Sequence, residues 1–274
     1  MGAAERPDGA KDTLPETRRH FVSVCAYSSR KAWGKIIGMN MDTFDTLPSG
    51  VFRPKESLSM GAQLHRILRN AIIQGELVPG QAISEVEMSK RFSISRQPVR
   101  EAFIKLAEER LIEVLPQRGT YVRKISVKEM LGARHVREII EVSIAREVAL
   151  TRDADLIARL RQNIAAQRAV EPGDRKSILL IDDELHKSLA LFAGREYAWR
   201  VTENIKSQID RVRFLTYDMA KPTAQIITEH EAIVDAIEAG DPDAAAAQME
   251  SHLREILTSL PMLAERYPEH FIDD

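Results

Sequence analysis

The sequence has 274 residues, of which 44% are hydrophobic, and a net charge of −2. This length allows two domains, and the hydrophobic content is ordinary for a folded protein. No apolar run approaches the ~20 residues of a membrane-spanning helix, so we expect no contact with a membrane. The single cysteine, Cys25, excludes an internal disulfide and a cysteine-based zinc site, and it fits a reducing cytoplasm.

The charges are distributed unevenly along the chain. Residues 55–124 contain 12 Lys and Arg against 8 Asp and Glu, whereas residues 125–274 contain 19 against 27. A basic segment joined to a larger acidic one predicts that the first contacts nucleic acid and that the second has another role.

Residues 1–54 show no sustained apolar period and no signal-peptide pattern. We interpret them as a flexible N-terminal extension, or as untranslated sequence if Met39, Met41 or Met60 is the true start. The alternative is an ordered arm that packs on the rest of the protein.

Three helices are predicted between Leu58 and Leu106. The first shows apolar residues at helical spacing and ends near Gly75, and the second opens with a capping box that begins at Ser84. The third has Ser95 as its N-cap, and Arg96 and Arg100 lie four residues apart on one face. Two short helices joined by a tight turn predict a helix-turn-helix that reads the major groove of DNA, and the alternative is a helical hairpin with a solvated basic face.

A β-hairpin is predicted directly after these helices. The β-prone runs 111–115 and 120–123 surround a Pro-Gln-Arg-Gly turn. Such a hairpin would form a wing with Arg118 and Gly119 at its tip, where a guanidinium and the backbone approach a minor groove or a phosphate.

Residues 58–124 resemble the winged helix of the GntR family of bacterial transcription regulators. The resemblance rests on the order and spacing of three stretches: Gly-Glu-Leu-Val-Pro-Gly at 75–80, Ser-Arg-Gln-Pro-Val-Arg-Glu-Ala at 95–102, and Arg-Gly-Thr-Tyr-Val at 118–122. It implies that Arg96 and Arg100 contact DNA, assisted by Ser95, Gln97, Arg118 and Gly119. Val86 departs from the pattern of FadR, which has a DNA-contacting arginine there, so the operator sequence is not implied.

The chain beyond Ile125 is predicted to be an all-α bundle of about six helices, because no strand pattern is present. The predicted helices span about 126–148, 153–170, 177–192, 196–218, 224–239 and 242–267. We therefore expect a mainly α protein, in which a winged helix-turn-helix at 55–124 precedes an all-helical domain at 125–274.

Four residues of the predicted bundle could bind a metal ion. Asp182 and His186 are four residues apart on one helix, and His230 and His252 belong to two later helices that a bundle can bring together. Three imidazoles and one carboxylate suit Zn²⁺, Ni²⁺ or Mn²⁺. Taken singly, histidines such as His230 and His252 are more often hydrogen-bonded or exposed residues than metal ligands.

The helical region also resembles the FCD effector domain of the FadR subfamily. The resemblance rests on Asp-x-x-x-His at 182–186, on His230 before Ala-Ile-Glu-Ala-Gly-Asp, and on His252-Leu253. It implies a metal-binding member with all four ligand positions filled. It also implies that Arg137, followed by Glu141, could hold a carboxylate effector; the alternative for this pair is a plain intrahelical ion pair.

These observations predict a cytoplasmic transcription regulator, a repressor, that binds a palindromic operator as a homodimer and responds to a small carboxylate at a metal site. One alternative is a regulator for which the metal ion itself is the signal. The other is a metal-dependent hydrolase with Glu184, Glu229 or Glu231 as its general base.

Overall fold

The computed structural model describes residues 58–216 and 223–272. The expectations for residues 1–54, including Cys25, lie outside the described residues.

Three helices and a small sheet form the N-terminal part of the described chain. The helices are α1 (Met60–Ile73), α2 (Glu85–Phe92) and α3 (Arg96–Glu108), and the strands are β1 (Ala82–Ile83), β2 (Ile112–Leu115) and β3 (Gly119–Val122). The strands are antiparallel in the order β1-β3-β2, with Ile112 opposite Val122 and Leu115 opposite Gly119. The predicted hairpin is confirmed, and β1 is a third strand that the sequence pattern did not indicate.

The winged helix is held together by the apolar faces of its helices. Val99, Phe103 and Leu106 of α3 are buried, as the spacing predicted, together with Leu64 and Leu68 of α1. Helix α1 packs directly against α3. The opposite face of α3 is left exposed, so packing fixes which side of this helix is available to DNA.

The predicted helix starts are confirmed, but two of the predicted capping bonds are not. Neither Ser84 nor Ser95 accepts a side-chain bond from the described N–H groups of the following turn, although both have extended backbone conformations typical of an N-cap. Both side chains are exposed, so water can satisfy their hydroxyls. By contrast, Ser126 Oγ accepts from the Glu129 N–H at 3.0 Å.

The rest of the described chain forms a helical bundle. Its helices are α4 (Val127–Ala149), α5 (Ala154–Arg168), α6 (Arg175–Phe192), α7 (Glu196–Ile205), α8 (Ser207–Thr216), α9 (Thr223–Ala239), α10 (Pro242–Arg254) and α11 (Ile256–Arg266), and a 3-10 turn follows at Pro268–His270. Two of the six predicted helices are interrupted, at Lys206 and at Glu255. Neither residue is a glycine or a proline, so no local signal in the sequence indicated these breaks.

Helix α4 is the central element of this bundle. It packs against α6, α7, α8, α9 and α10. The core around it is aliphatic and includes Leu160, Leu185, Ile233 and Ile237, each fully buried. No helix in the described ranges is long and apolar enough to cross a membrane.

Two short strands correct the expectation of an exclusively helical C-terminal region. Strand β4 (Ile125–Ser126) pairs in parallel with β5 (Phe271–Ile272). A two-residue strand is too short to produce an alternating pattern, and its partner lies at the other end of the region, so no strand pattern is present in the sequence.

Candidate metal centre and nucleic-acid interface

The four predicted metal-binding residues meet inside the bundle. Asp182 and His186 lie on α6, His230 lies on α9, and His252 lies on α10; each offers one ligand atom, and these atoms all lie within 4.8 Å of one another. His230 Nε2 is 3.3 Å from His252 Nε2 and 3.3 Å from Asp182 Oδ1. Asp182, His186 and His230 are buried, while His252 is partly exposed.

The Nδ1 atom of each histidine faces an oxygen acceptor outside the cluster. The pairs are His230 with Gln167 Oε1 at 2.8 Å, His252 with Glu229 Oε2 at 2.9 Å, and His186 with Glu141 Oε2 at 2.6 Å. For His230 and His252, whose Nδ1 contacts are hydrogen bonds, a hydrogen on Nδ1 satisfies the oxygen and leaves the Nε2 lone pair unprotonated. His186 Nδ1 lies close to Glu141 but lacks hydrogen-bond geometry. The Nε2 atoms are therefore the ones available to a metal, and their outer partners hold the rings in place.

The surroundings keep the imidazoles of His230 and His252 neutral and the Asp182 carboxylate charged. Burial lowers the pKa of His230 well below its usual value, and the neighbouring His252 lowers it further. Burial also lowers the pKa of His252, to about 4, although Glu229 opposes the shift. Burial alone would raise the pKa of Asp182, but Arg213 and the histidines hold it well below its usual value. These are the protonation states that metal coordination requires.

The donor set fits a divalent cation. Within the described residues, Asp182 Oδ2 and His186 Nε2 are buried and have no hydrogen-bond partner. Buried polar atoms without partners are rare and call for an explanation, because each costs about 1–3 kcal/mol. A cation among three Nε2 lone pairs and a carboxylate would satisfy these atoms together, and imidazole with carboxylate is a typical ligand set for Zn²⁺.

Arg137 makes the predicted pair with Glu141, and the pair is buried. Arg137 Nε lies 2.6 Å from Glu141 Oε1, and Nη2 lies 3.4 Å from Oε2. Burial would raise the pKa of Glu141, but Arg137 and His186 lower it far below its usual value. Glu141 thus joins the predicted effector residue to a histidine of the cluster.

A small cavity of about 70 Å³ adjoins the cluster. Its polar lining consists of three arginines, one histidine of the cluster, one glutamate and three hydroxyl side chains: Arg134, Arg137, Arg213, His252, Glu255, Thr216, Thr258 and Ser259. Arg213, whose Nη2 lies 2.5 Å from Asp182 Oδ1, was not among the residues predicted for this site. This ion pair joins α8 to α6, so no spacing within one helix could indicate it.

The predicted DNA-contacting residues of α3 are all exposed. Ser95, Arg96, Gln97 and Arg100 lie on the first turns of the helix, on the face opposite its buried residues. Gln97 Nε2 donates to Glu101 Oε1 at 3.3 Å. The two arginines therefore point away from the core near the helix N-terminus, where a DNA phosphate or a guanine edge could meet them.

The two predicted residues of the wing are also exposed. Arg118 and Gly119 lie at the turn between β2 and β3. The Tyr121 hydroxyl donates to the Arg118 carbonyl at 2.8 Å, which fixes the shape of the turn. The helix and the wing together offer three exposed arginines, which suits binding to phosphates.

Two family descriptions and one relative decide the classification. Residues 61–122 match bacterial regulatory proteins of the gntR family, and residues 133–255 match the FCD domain. The Escherichia coli K12 HTH-type transcriptional repressor RspR is 38% identical over 213 residues, which cover 77% of this chain and 93% of that protein. The chain belongs to the GntR family. It is a DNA-binding transcription regulator with an FCD domain.

Solved structures share the fold of this GntR regulator. E. coli McbR/YncC covers 77% of the chain, with a TM-score of 0.64 at 17% sequence identity. A Rhodococcus sp. RHA1 protein described as a GntR transcriptional regulator covers 74%, with a TM-score of 0.63 at 25% identity. The solved chains are themselves covered to 99% in both cases. The family itself decides against the hydrolase alternative, because the gntR family match and the relative RspR are transcription regulators.

Proposed function

We propose that this GntR regulator belongs to the FadR subfamily and represses transcription by binding operator DNA as a homodimer. Residues 55–124 would bind the DNA, and residues 125–274 would form the dimer and bind a divalent metal ion and a small carboxylate effector. The operator lies on the chromosome, so we assign the protein to the cytoplasm. Repression is supported by the relative RspR, which is described as a repressor.

One observation carries the effector proposal. Four metal-binding side chains converge beside a cavity that is lined by Arg137 and Arg213. A metal ion held by Asp182, His186 and His230 together with His252 would supply positive charge and coordination positions for an anionic ligand. The arginines attract the same kind of ligand, because guanidinium groups bind carboxylates strongly.

Each residue of the site has a separate task in this proposal. Asp182 and the three histidines bind the ion, for which we expect Zn²⁺, with Ni²⁺ and Mn²⁺ as alternatives. Arg137 is paired with Glu141 but also lines the cavity, where its positive charge would attract the effector. Glu141 would in turn orient His186. The small volume of the cavity favours a carboxylate of a few carbon atoms.

The DNA-binding proposal rests on the exposed arginines of α3 and of the wing. A single winged helix has a small footprint, and two copies related by a two-fold axis would read two half-sites of a palindrome. Phosphate contacts would make the affinity fall steeply with salt, whereas contacts from Arg96 and Arg100 to base edges would give sequence preference.

The test is operator binding at fixed salt, with DNA from the promoter region of the gene itself. We would compare Zn²⁺-loaded and chelated protein, each with acetate, lactate or malonate, beside the Arg96→Ala and His230→Ala variants. The proposal expects specific binding by the wild type, none by Arg96→Ala, and release by a carboxylate only when His230 is present. Absence of specific DNA binding under every condition would refute it.

A metal-responsive regulator is the second candidate, and the burial of three of the four metal-binding residues favours it, since an ion alone could fill such a site. It predicts that operator affinity changes when Zn²⁺ is added without any carboxylate. If the metal is instead a permanent structural ion and the effector is organic, the site stays filled. Adding Zn²⁺ alone should then leave the operator affinity unchanged.

A further inference from the structure

Helix α8 holds the end of the recognition helix α3. Ser207 Oγ donates to the Glu109 carbonyl at 3.1 Å, and Gln208 Nε2 donates to the Arg110 carbonyl at 2.9 Å. Glu109 is the C-cap of α3, and Arg110 follows it with a left-handed φ of +56°. The first turn of α8 thus satisfies carbonyls that the end of α3 leaves without helical partners.

A buried lysine anchors the start of α8 to the helix that carries two of the metal-binding residues. Lys206, with 2% of its side chain exposed, places Nζ 2.7 Å from Asp183 Oδ2 on α6. The same Nζ lies 2.8 Å from Asp210 Oδ2 on α8. A buried ammonium is costly unless it is paired, so both carboxylates are needed where they are. Asp183 directly follows the metal-binding Asp182 in the chain.

The same charged chain continues into the DNA-binding part. Asp210 Oδ2 lies 3.2 Å from Arg69 Nη2 on α1, and Arg69 Nε lies 2.9 Å from Glu109 Oε2 at the end of α3. Asp210 is buried, and Arg69 is mostly buried. Ion pairs therefore run from α6 through α8 to both α1 and α3.

The other end of α8 reaches the cavity beside the metal-binding cluster. Arg213 lies one turn beyond Asp210, lines the cavity, and pairs with Asp182 at 2.5 Å. Its Nη1 also lies 3.8 Å from Asp183 Oδ1. Asp182 belongs both to this ion pair and to the metal-binding cluster. A cation bound to the Asp182 carboxylate would offset part of its negative charge and so weaken its attraction for Arg213.

We infer that α8 transmits occupancy of the metal site to the recognition helix, with Arg213 responding at one end and Lys206, Asp210 and Arg69 connecting it to α1 and α3 at the other. This inference rests on the proposed metal site. Ion pairs suit such a task because each charge can exchange one partner for another, which gives two discrete arrangements, whereas an apolar contact has no such alternative.

The test uses full-length protein with Zn²⁺ as the only ligand, and it has two readouts. Calorimetry measures the affinity for Zn²⁺, and amide hydrogen exchange follows residues 106–111 at the end of α3. In the wild type, adding Zn²⁺ should change the rate of amide hydrogen exchange at residues 106–111 by at least about fivefold. In Lys206→Met, Zn²⁺ should bind with an affinity within about threefold of the wild type, while the change at 106–111 falls below about twofold.

Lys176→Met is the matched control. Lys176 also lies on α6, and its Nζ is 3.0 Å from Glu76 Oε1 in the DNA-binding part, which places this pair outside the chain of ion pairs formed by Lys206, Asp210 and Arg213. This variant should keep the response of the wild type. If it loses the response as Lys206→Met does, general loosening between the two parts explains the effect and the inference is overturned.

Two further outcomes separate this inference from the proposal on which it rests. Binding of Zn²⁺ by the wild type with no change at residues 106–111 overturns the inference alone, whereas no binding of Zn²⁺ overturns the metal site as well. If Lys206→Met does not fold, Gln208→Ala replaces it, because it removes no charge. It removes the bond to the Arg110 carbonyl and the bond that Gln208 Oε1 accepts from Arg211 Nη1 at 3.2 Å. It should reduce the response by at least about twofold, and an undiminished response would count against the inference.

Discussion

The metal-free protein should lose stability between neutral and mildly acidic pH because of its buried histidines. An unfolded histidine has a pKa near 6.5, whereas that of folded His252 is about 4. As the pH falls below 6.5, the unfolded chain takes up a proton that the folded protein does not. The contribution of His252 is therefore complete above pH 6.5 and is lost as the pH falls towards 4.

The magnitude follows from the size of this shift. A shift of roughly 2.5 units corresponds to about 3 kcal/mol when it is fully expressed, and about 2 kcal/mol is lost by pH 5. The pKa of His230 is shifted in the same direction, so it adds to the loss. Asp182 contributes nothing in this range, because its pKa lies well below the usual value for a carboxyl group.

Urea unfolding of chelated protein at pH 7.5 and at pH 5 measures this loss. His252→Gln, which removes the titrating ring, should reduce the fall in unfolding free energy by about 2 kcal/mol. His135→Gln, which replaces an exposed histidine on α4, should leave the fall unchanged. An equal fall in the wild type and His252→Gln would show that burial does not depress this pKa, and the argument for a neutral imidazole would fail.

Three further predictions concern capping, backbone strain and DNA binding. Asp241→Ala should cost about 1 kcal/mol in thermal unfolding and Ser95→Ala close to none, because Asp241 accepts the N–H groups of its helix and Ser95 does not. Gly240→Ala and Gly75→Ala should each destabilise the protein by about 1–2 kcal/mol in the same assay, because both have a φ near +70°. A Cβ at 240 would lie 2.5 Å from Arg152 Cδ, but that exposed side chain can move aside, so the two losses should be similar. Arg118→Ala should weaken binding to specific and unrelated DNA by similar factors and lower the salt dependence by about one unit, measured by salt titration; a loss confined to one sequence would contradict a phosphate contact.

Local patterns predicted the helices and half of the metal site well. The i,i+4 spacing of Asp182 and His186 was sufficient to place both side chains on one side of α6, and the apolar period of α3 identified its exposed face. The N-caps that form at Ser126 and Asp241 are local features of the same kind, because a cap and its helix are neighbours in sequence.

Contacts between distant residues were not predictable in the same way. Glu141 could be identified as the partner of Arg137, but its contact with His186 depends on how α4 packs against α6. In the sequence, Lys206 and Arg213 look like ordinary surface charges. Their partners Asp183 and Asp182 lie on another helix, so no spacing in the sequence indicates these ion pairs. Burial of these charges is a property of the assembled bundle, and a single sequence does not display it.

The pairing of β4 with β5 has a consequence for the order in which the protein is assembled. Ile125, just after the wing, can pair with Phe271 only after Phe271 itself has left the ribosome, much later in synthesis. The winged helix has its own buried core, so it can fold much earlier than this contact forms. We therefore expect a nascent chain whose DNA-reading surface is complete while its junction with the bundle is still open.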